Sequence, residues 1–170
     1  MIQLPDVLVR VNRIPACCIG IPLVLGTASG FVFRPKLSTW YDELNKPAGE
    51  PPRAAFPAVW TALYAGMGYA AHVAAYALDT SPNASVRDAA KLATTLHWCQ
   101  LGLNLAWTPL FFGVKKPTWA LVDIVALTGV VYKMTCLFRK IDVKTSWIYV
   151  AYSAWLTYAT YLNAGVVYKN

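Results

Sequence analysis

Residues 92–114 read LATTLHWCQLGLNLAWTPLFFGV, twenty-three residues without a formal charge. As a helix, that length rises about 1.5 Å per residue and crosses a hydrocarbon core of about 30 Å. Its polar residues are ordered. His97, Gln100, Asn104 and Trp107 follow a 3-4-3 spacing, which puts them on one helical face. Hydrocarbon penalises such a face, so the spacing predicts that it points into a helix bundle. Pro109 has no N–H for the carbonyl one turn earlier, at Leu105, which leaves a free acceptor beside Asn104. A seam of this kind can meet a ligand or merely join helices, because Asn and Gln serve both ends.

The same reading extends to four other stretches: residues 14–33, 54–78, 117–138 and 145–168. Each is long enough to span a bilayer and far too long for a porin strand of about ten residues. The run at 117–138 carries Asp123 inside it and Lys133 near its far end. Lys133 can extend its head toward the nearby end, and Asp123 sits near a helix N-terminus that favours an anion. The expected architecture is therefore an all-α integral membrane bundle of five transmembrane helices, one domain over residues 1–170, with its two termini on opposite sides. The first stretch is long for the core of a cleaved signal peptide and is expected to be retained. Loop charges are nearly balanced between the two sides, so they do not set the orientation.

Composition agrees with a membrane chain. Hydrophobic residues make up 57% of the 170 residues and charged residues 14%. That is too few charges to cover the surface of a soluble domain of this size. The net charge of +7 is spread singly or in pairs between apolar runs, with no stripe dense enough to follow a nucleic-acid backbone. No nucleic-acid partner is expected; the bilayer is. The one long connection, residues 34–53, is rich in Pro, Gly and charge and opens with Ser38-Thr39-Trp40-Tyr41. It is long enough to fold over one mouth of the bundle as a lid.

The remaining runs carry aromatic and small-residue faces. Trp60, Tyr64 and Met67 share one face of the second run; Ala62, Gly66, Ala70 and Ala74 share another at fourfold spacing, which allows close helix contact. Trp119 and Asp123 are four apart in the fourth. In the fifth, Tyr152, Trp155, Ala159 and Leu162 run down one side, a wall suited either to core packing or to a flat apolar ligand. The cysteines, Cys17, Cys18, Cys99 and Cys136, form no CxxC pair and are expected to be buried fillers. There is no GxSxG, HExxH, Walker or GxGxxG motif, and neither His72 nor His97 has a carboxylate at helical spacing. No catalytic residue, cofactor or metal site is expected.

These residues also carry a family likeness. Trp40-Tyr41-x-x-Leu44-x-Lys46-Pro47, Pro51-Pro52 and Phe56-Pro57-x-Val59-Trp60-Thr61-x-Leu63-Tyr64 resemble the first-loop and second-helix signature of the translocator proteins, the tryptophan-rich sensory protein and peripheral benzodiazepine receptor family. Leu103-Asn104-x-Ala106-Trp107-x-Pro109-x-Phe111-Phe112-Gly113 resembles the family's third-helix motif, Trp119-Ala120-Leu121-Val122-Asp123 its fourth helix, and Tyr152-x-Ala154-Trp155-Leu156 its fifth. The resemblance implies a five-helix bundle, commonly a homodimer, with a cavity under the first loop that takes porphyrin or haem, isoquinoline-type ligands and, in some members, sterols. It implies ligand contacts at Trp60, Asn104, Trp107, Trp119, Ala159 and Leu162. For a eukaryotic member it implies the outer mitochondrial membrane, or alternatively the endoplasmic reticulum or another secretory membrane.

The expected function is a membrane receptor or carrier for tetrapyrroles and related flat apolar ligands rather than an enzyme. A porphyrin-degrading enzyme and a structural or partner-recruiting protein are the alternatives. The chain departs from the family pattern at Gly49 and Leu105, where a tryptophan is common, at Thr108, where a second proline is common, and at Ala164, where animal members carry the tyrosine of a sterol-recognition segment.

Overall fold

The computed structural model describes residues 5–37 and 40–170. Among them every regular element is helical. A short helix, α1 (Asp6–Asn12), leads into α2 (Pro15–Leu37); a single turn, α3 (Trp40–Glu43), lies in the long connection. Four long helices follow: α4 (Ala55–Thr80), α5 (Ala84–Thr108), α6 (Pro117–Ile141) and α7 (Val143–Lys169). A π turn, Pro109–Gly113, extends α5.

Local chemistry sets the boundaries. Asn83 caps α5, its side-chain oxygen accepting from the Ser85 N–H at 2.9 Å. Asp142 caps α7 and accepts from the Thr145 N–H at 2.9 Å and from the Thr145 hydroxyl. Pro117 opens α6, where its missing N–H costs nothing. After Pro109 the hydrogen bonding slips by one residue, and the Val114 N–H donates to the Pro109 carbonyl at 2.9 Å.

The helices pack in sequence, α2 on α4, α4 on α5, α5 on α6 and α6 on α7, with α7 returning to α4 more loosely. The core stripe of α6 is Ala120, Ile124, Leu127, Val131, Met134 and Phe138, all buried and alternately four and three residues apart. Gly68 lets α4 touch α2 backbone to backbone, because a Cβ there would stand 2.4 Å from the Cys18 carbonyl oxygen. Arg13 of the α1–α2 corner pairs with Asp79 at the end of α4 through two 2.8 Å bonds, which hold the Asp79 carboxyl below its ordinary range. At the opposite end Asn170 bonds the backbone of Asn45 in both directions at 3.0 Å. Arg13 and Asn170 therefore lie at opposite ends of the bundle.

Several expectations change. Helix α2 runs past Phe33 to Leu37. Ser38 and Thr39 lie outside the described residues. Cys99 and Cys136 are exposed on outward helix faces rather than buried, while Cys18 is buried; all four are free thiols. Among the described residues, two helices are long and apolar enough to cross a membrane, Pro15–Phe33 and Pro117–Ile141. The other three long helices carry the tyrosines, tryptophans and amides that lower hydropathy without adding charge.

Candidate functional site

The face predicted on α5 does point inward. His97, Gln100 and Asn104 are 1%, 0% and 4% exposed. The partners of Gln100 and Asn104 come from α4 and α7. The Tyr64 hydroxyl donates to Asn104 Oδ1 at 2.6 Å, and Asn104 Nδ2 donates to the Tyr152 hydroxyl at 2.9 Å. Tyr152 in turn donates to Gln100 Oε1 at 3.1 Å, and Gln100 Nε2 reaches Met67 Sδ at 3.3 Å. One asparagine thus joins three helices. In an apolar bundle each such bond has little competition from water, and each orphaned partner would be costly.

Trp107, the next residue along this face, reaches α7 as well. Its indole N–H donates to Asn163 Oδ1 at 3.0 Å, and Asn163 Nδ2 donates to the Pro117 carbonyl at 3.0 Å. The indole lies parallel on Phe111 of the π turn, with ring centroids 4.9 Å apart. Trp60 packs against both Tyr64 and Tyr152, at 5.7 and 6.2 Å between centroids. Of the six predicted contact positions, the structure therefore gathers Trp60, Asn104 and Trp107 around one seam. Leu162 is buried next to Asn163 on α7, and Ala159 packs half-buried against the core. Trp119 does not join them. It is 64% exposed on the outer face of α6, because the inward stripe begins at its neighbour Ala120. No wall between α5 and α6 includes both Trp107 and Trp119.

The lid crosses the mouth above Trp107. Trp40 and Tyr41 set their rings edge-on to Phe111 at 5.7 and 6.1 Å, and Tyr41 also meets Phe112 at 5.8 Å. Lys46 Nζ stands 4.2 Å from the Tyr41 ring centre and 3.4 Å from Glu50; Arg53 pairs with Asp42. Burial, then the neighbouring Glu50, pushes the Tyr41 phenol well above its ordinary range.

Sequence reasoning missed what seats the lid, which is the outer rim of α7. Tyr158 donates to the Gly49 carbonyl, Tyr161 to that of Ala48 at 3.1 Å, and Lys169 to that of Lys46 at 3.1 Å. Pro47 lies against Gly165, where a Cβ would stand 2.6 Å from the proline ring. The tyrosines were visible in the sequence, but backbone carbonyls as their acceptors leave no mark in it.

Two open apolar grooves, of about 600 and 500 Å³, lie on the outside of the bundle. The larger follows the loose α4–α7 junction, between Val59, Ala62 and Leu63 on one side and Ala151, Trp155 and Tyr158 on the other. The smaller is confined to α2. Among the described residues no group of His, Cys, Asp and Glu has a metal-binding arrangement.

An all-helical bundle with few charges, an inward polar seam and a loop packed over one end defines a class, the helical membrane protein. The chain belongs to the TspO/MBR family, whose sequence pattern matches residues 18–169. It is 36% identical to the translocator protein homolog of Schizosaccharomyces pombe, over 88% of each chain. It is also 36% identical to the tryptophan-rich protein TspO of Chlorobaculum tepidum, over 91% of this chain and 94% of that one. The human translocator protein is 33% identical over 73% of this chain and 70% of its own. Proteins of this family are membrane proteins.

Proposed function

We propose that the chain is a receptor or carrier for tetrapyrroles and similar flat apolar molecules, a single five-span membrane domain that works as a homodimer. Helices α2, α4, α5, α6 and α7 are the spans. The observation that carries the reading is Asn104, a directional polar group 4% exposed, bonded between the Tyr64 and Tyr152 hydroxyls with Trp107 one turn above it under the lid. A flat ligand would enter by lifting the lid and parting Trp107 from Phe111. It would gain buried area at roughly 25 cal/mol per Å² and one polar contact to fix its orientation. Ala159 and Leu162 would form the α7 side of that space, and their lack of polar atoms suits an apolar face. Trp119 is left out of the contact set because its ring faces outward. Porphyrin or haem fits this chemistry best; a sterol offers the same apolar area without the flat electron-rich face. In a eukaryotic cell the outer mitochondrial membrane is the proposed location.

The test is a titration of purified protein with protoporphyrin, read by intrinsic tryptophan fluorescence. Saturable quenching is expected, weakened about tenfold or more in a folded Trp107→Ala variant, since a large buried ring contributes far more than the 1.4 kcal/mol that tenfold represents. Unsaturable quenching, or equal affinity in the variant, would remove the reading. Product formation beyond one turnover per chain, lost in Trp107→Phe, would instead favour a porphyrin-degrading enzyme.

A further inference from the structure

Trp107 is held in two ways. Its edge makes a directional bond, the indole N–H donating to Asn163 Oδ1 at 3.0 Å, while its face is stacked on Phe111 with 4.9 Å between ring centroids. Asn163 is itself fixed. It is 2% exposed, and its Nδ2 donates to the carbonyl of Pro117, the first residue of α6, at 3.0 Å. One amide on α7 therefore ties the last turn of α5 to the start of α6, with both of its polar atoms engaged.

A flat ligand that parts Trp107 from Phe111 must move one ring or the other. Swinging the indole away breaks its bond to Asn163 and leaves a donor and a buried acceptor without partners. Moving Phe111 breaks no polar bond of its side chain, and the arriving ring restores the stacking that the phenyl gives up. The surroundings favour the same choice. Trp40 and Tyr41 of the lid stand edge-on to Phe111, so a lifted lid takes two neighbours from it. Neither bond of Asn163 involves the lid. Phe111 also stands in the π turn, where the Val114 N–H donates to the Pro109 carbonyl and the Lys116 N–H to the Leu110 carbonyl. Slipped hydrogen bonding of this kind recurs where helices serve a function.

We propose that Asn163 is a positioning residue that holds the Trp107 indole still while Phe111 yields, so that the indole face now covered by Phe111 is the stacking surface for the ligand. Phe111 is then a stand-in ring, which fills the place until the lid lifts and a planar aromatic molecule arrives. The inference rests on the receptor reading above and adds which side chain moves and which one anchors.

The experiment uses the full chain, labelled with ¹⁵N-tryptophan in detergent micelles, and follows exchange of the indole N–H with water by NMR, without and with saturating protoporphyrin. Trp107→Phe assigns the Trp107 signal. Slow exchange is expected in both states, because the bond to Asn163 survives loading. Asn163→Leu, once matched to wild type in helicity and melting, should speed that exchange and weaken protoporphyrin binding several-fold. In a Trp107→Phe background the same substitution should cost no further affinity, since the two residues act through one bond. A merely structural role for Asn163 would give the same loss in both backgrounds, and that result overturns the proposal. Unchanged affinity in Asn163→Leu, fast exchange in the free wild type, or protection lost on loading overturn it as well. The last two need no variant at position 163, so the proposal stays testable if Asn163→Leu does not fold. Unsaturable quenching by protoporphyrin in the wild type would instead remove the receptor reading, and the proposal with it.

Discussion

Tyr152 and Tyr158 lie six residues apart on α7, and their hydroxyls serve two regions of different character. Tyr152, 1% exposed, is bonded to Asn104 and Gln100 among apolar walls. Tyr158 reaches out over the rim to the carbonyl of Gly49 in the lid, an exposed contact. The seam is made of side chain to side chain bonds that specify one another; the lid is held by side chains reaching for whatever backbone lies opposite. Removing a seam bond leaves a buried orphan, whereas removing a lid bond hands both partners to water. The seam should therefore be the stiff region and the lid the part that opens.

The largest expected effect is in the interior. Asn104→Ala leaves the Tyr64 and Tyr152 hydroxyls short of a partner and should lower stability in detergent by about 2–6 kcal/mol, at about 1–3 kcal/mol for each of the two. A loss no greater than that of the lid variants below would erase the contrast between the regions. Gly68→Ala places a methyl group against the α2 backbone rather than against a flexible side chain. Overpacking of that kind costs about 1–3 kcal/mol, read as a lower melting temperature.

A smaller effect is expected at the α6–α7 corner. Asp142→Ala should cost about 1 kcal/mol through the lost cap of α7. Bonds from Thr145 hold the Asp142 carboxyl below its ordinary value, so its contribution is present above the unfolded carboxylate range of about 4 and is lost as pH falls through the lower folded value. An acid melt in which the variant and wild type converge at low pH checks the sign.

The lid variants come last. Gly165→Ala should push Pro47 away and raise hydrogen exchange or proteolysis at residues 45–49, with little change in melting. Arg53→Ala, or high salt, should have a similar but weaker effect, below about 1 kcal/mol, because the Asp42 pair is exposed and screened. Lid changes as large as the Asn104→Ala loss would show that the lid, not the seam, holds the bundle together.

How much of this was legible in the sequence follows from the same contrast. The inward face of α5 could be read from its 3-4-3 spacing, because a polar stripe in an apolar helix has one tolerable direction. The inward face of α6 was equally legible in Ala120, Ile124, Leu127 and Val131, yet the resemblance put Trp119 among the ligand contacts; it lies one residue before the true stripe. Cys99 and Cys136 were misplaced because a small apolar residue fits a lipid-facing surface as well as a core. The lid's seat was hidden for another reason. A tyrosine that donates to a backbone carbonyl leaves no partner residue to find, and Gly165 shows its purpose only once Pro47 lies against it.

The central claim is that a flat ligand binds inside the seam beneath the lid and not on the outer surface of the bundle. Photo-crosslinking with a porphyrin bearing a light-activated group, followed by peptide mapping, tests it directly. Labels are expected around residues 104–111 of α5 and the π turn and around residues 159–163 of α7, and should diminish in Trp107→Ala. Labels confined to the outer groove at Val59, Ala62 and Ala151, or to α6 around Trp119, would contradict it.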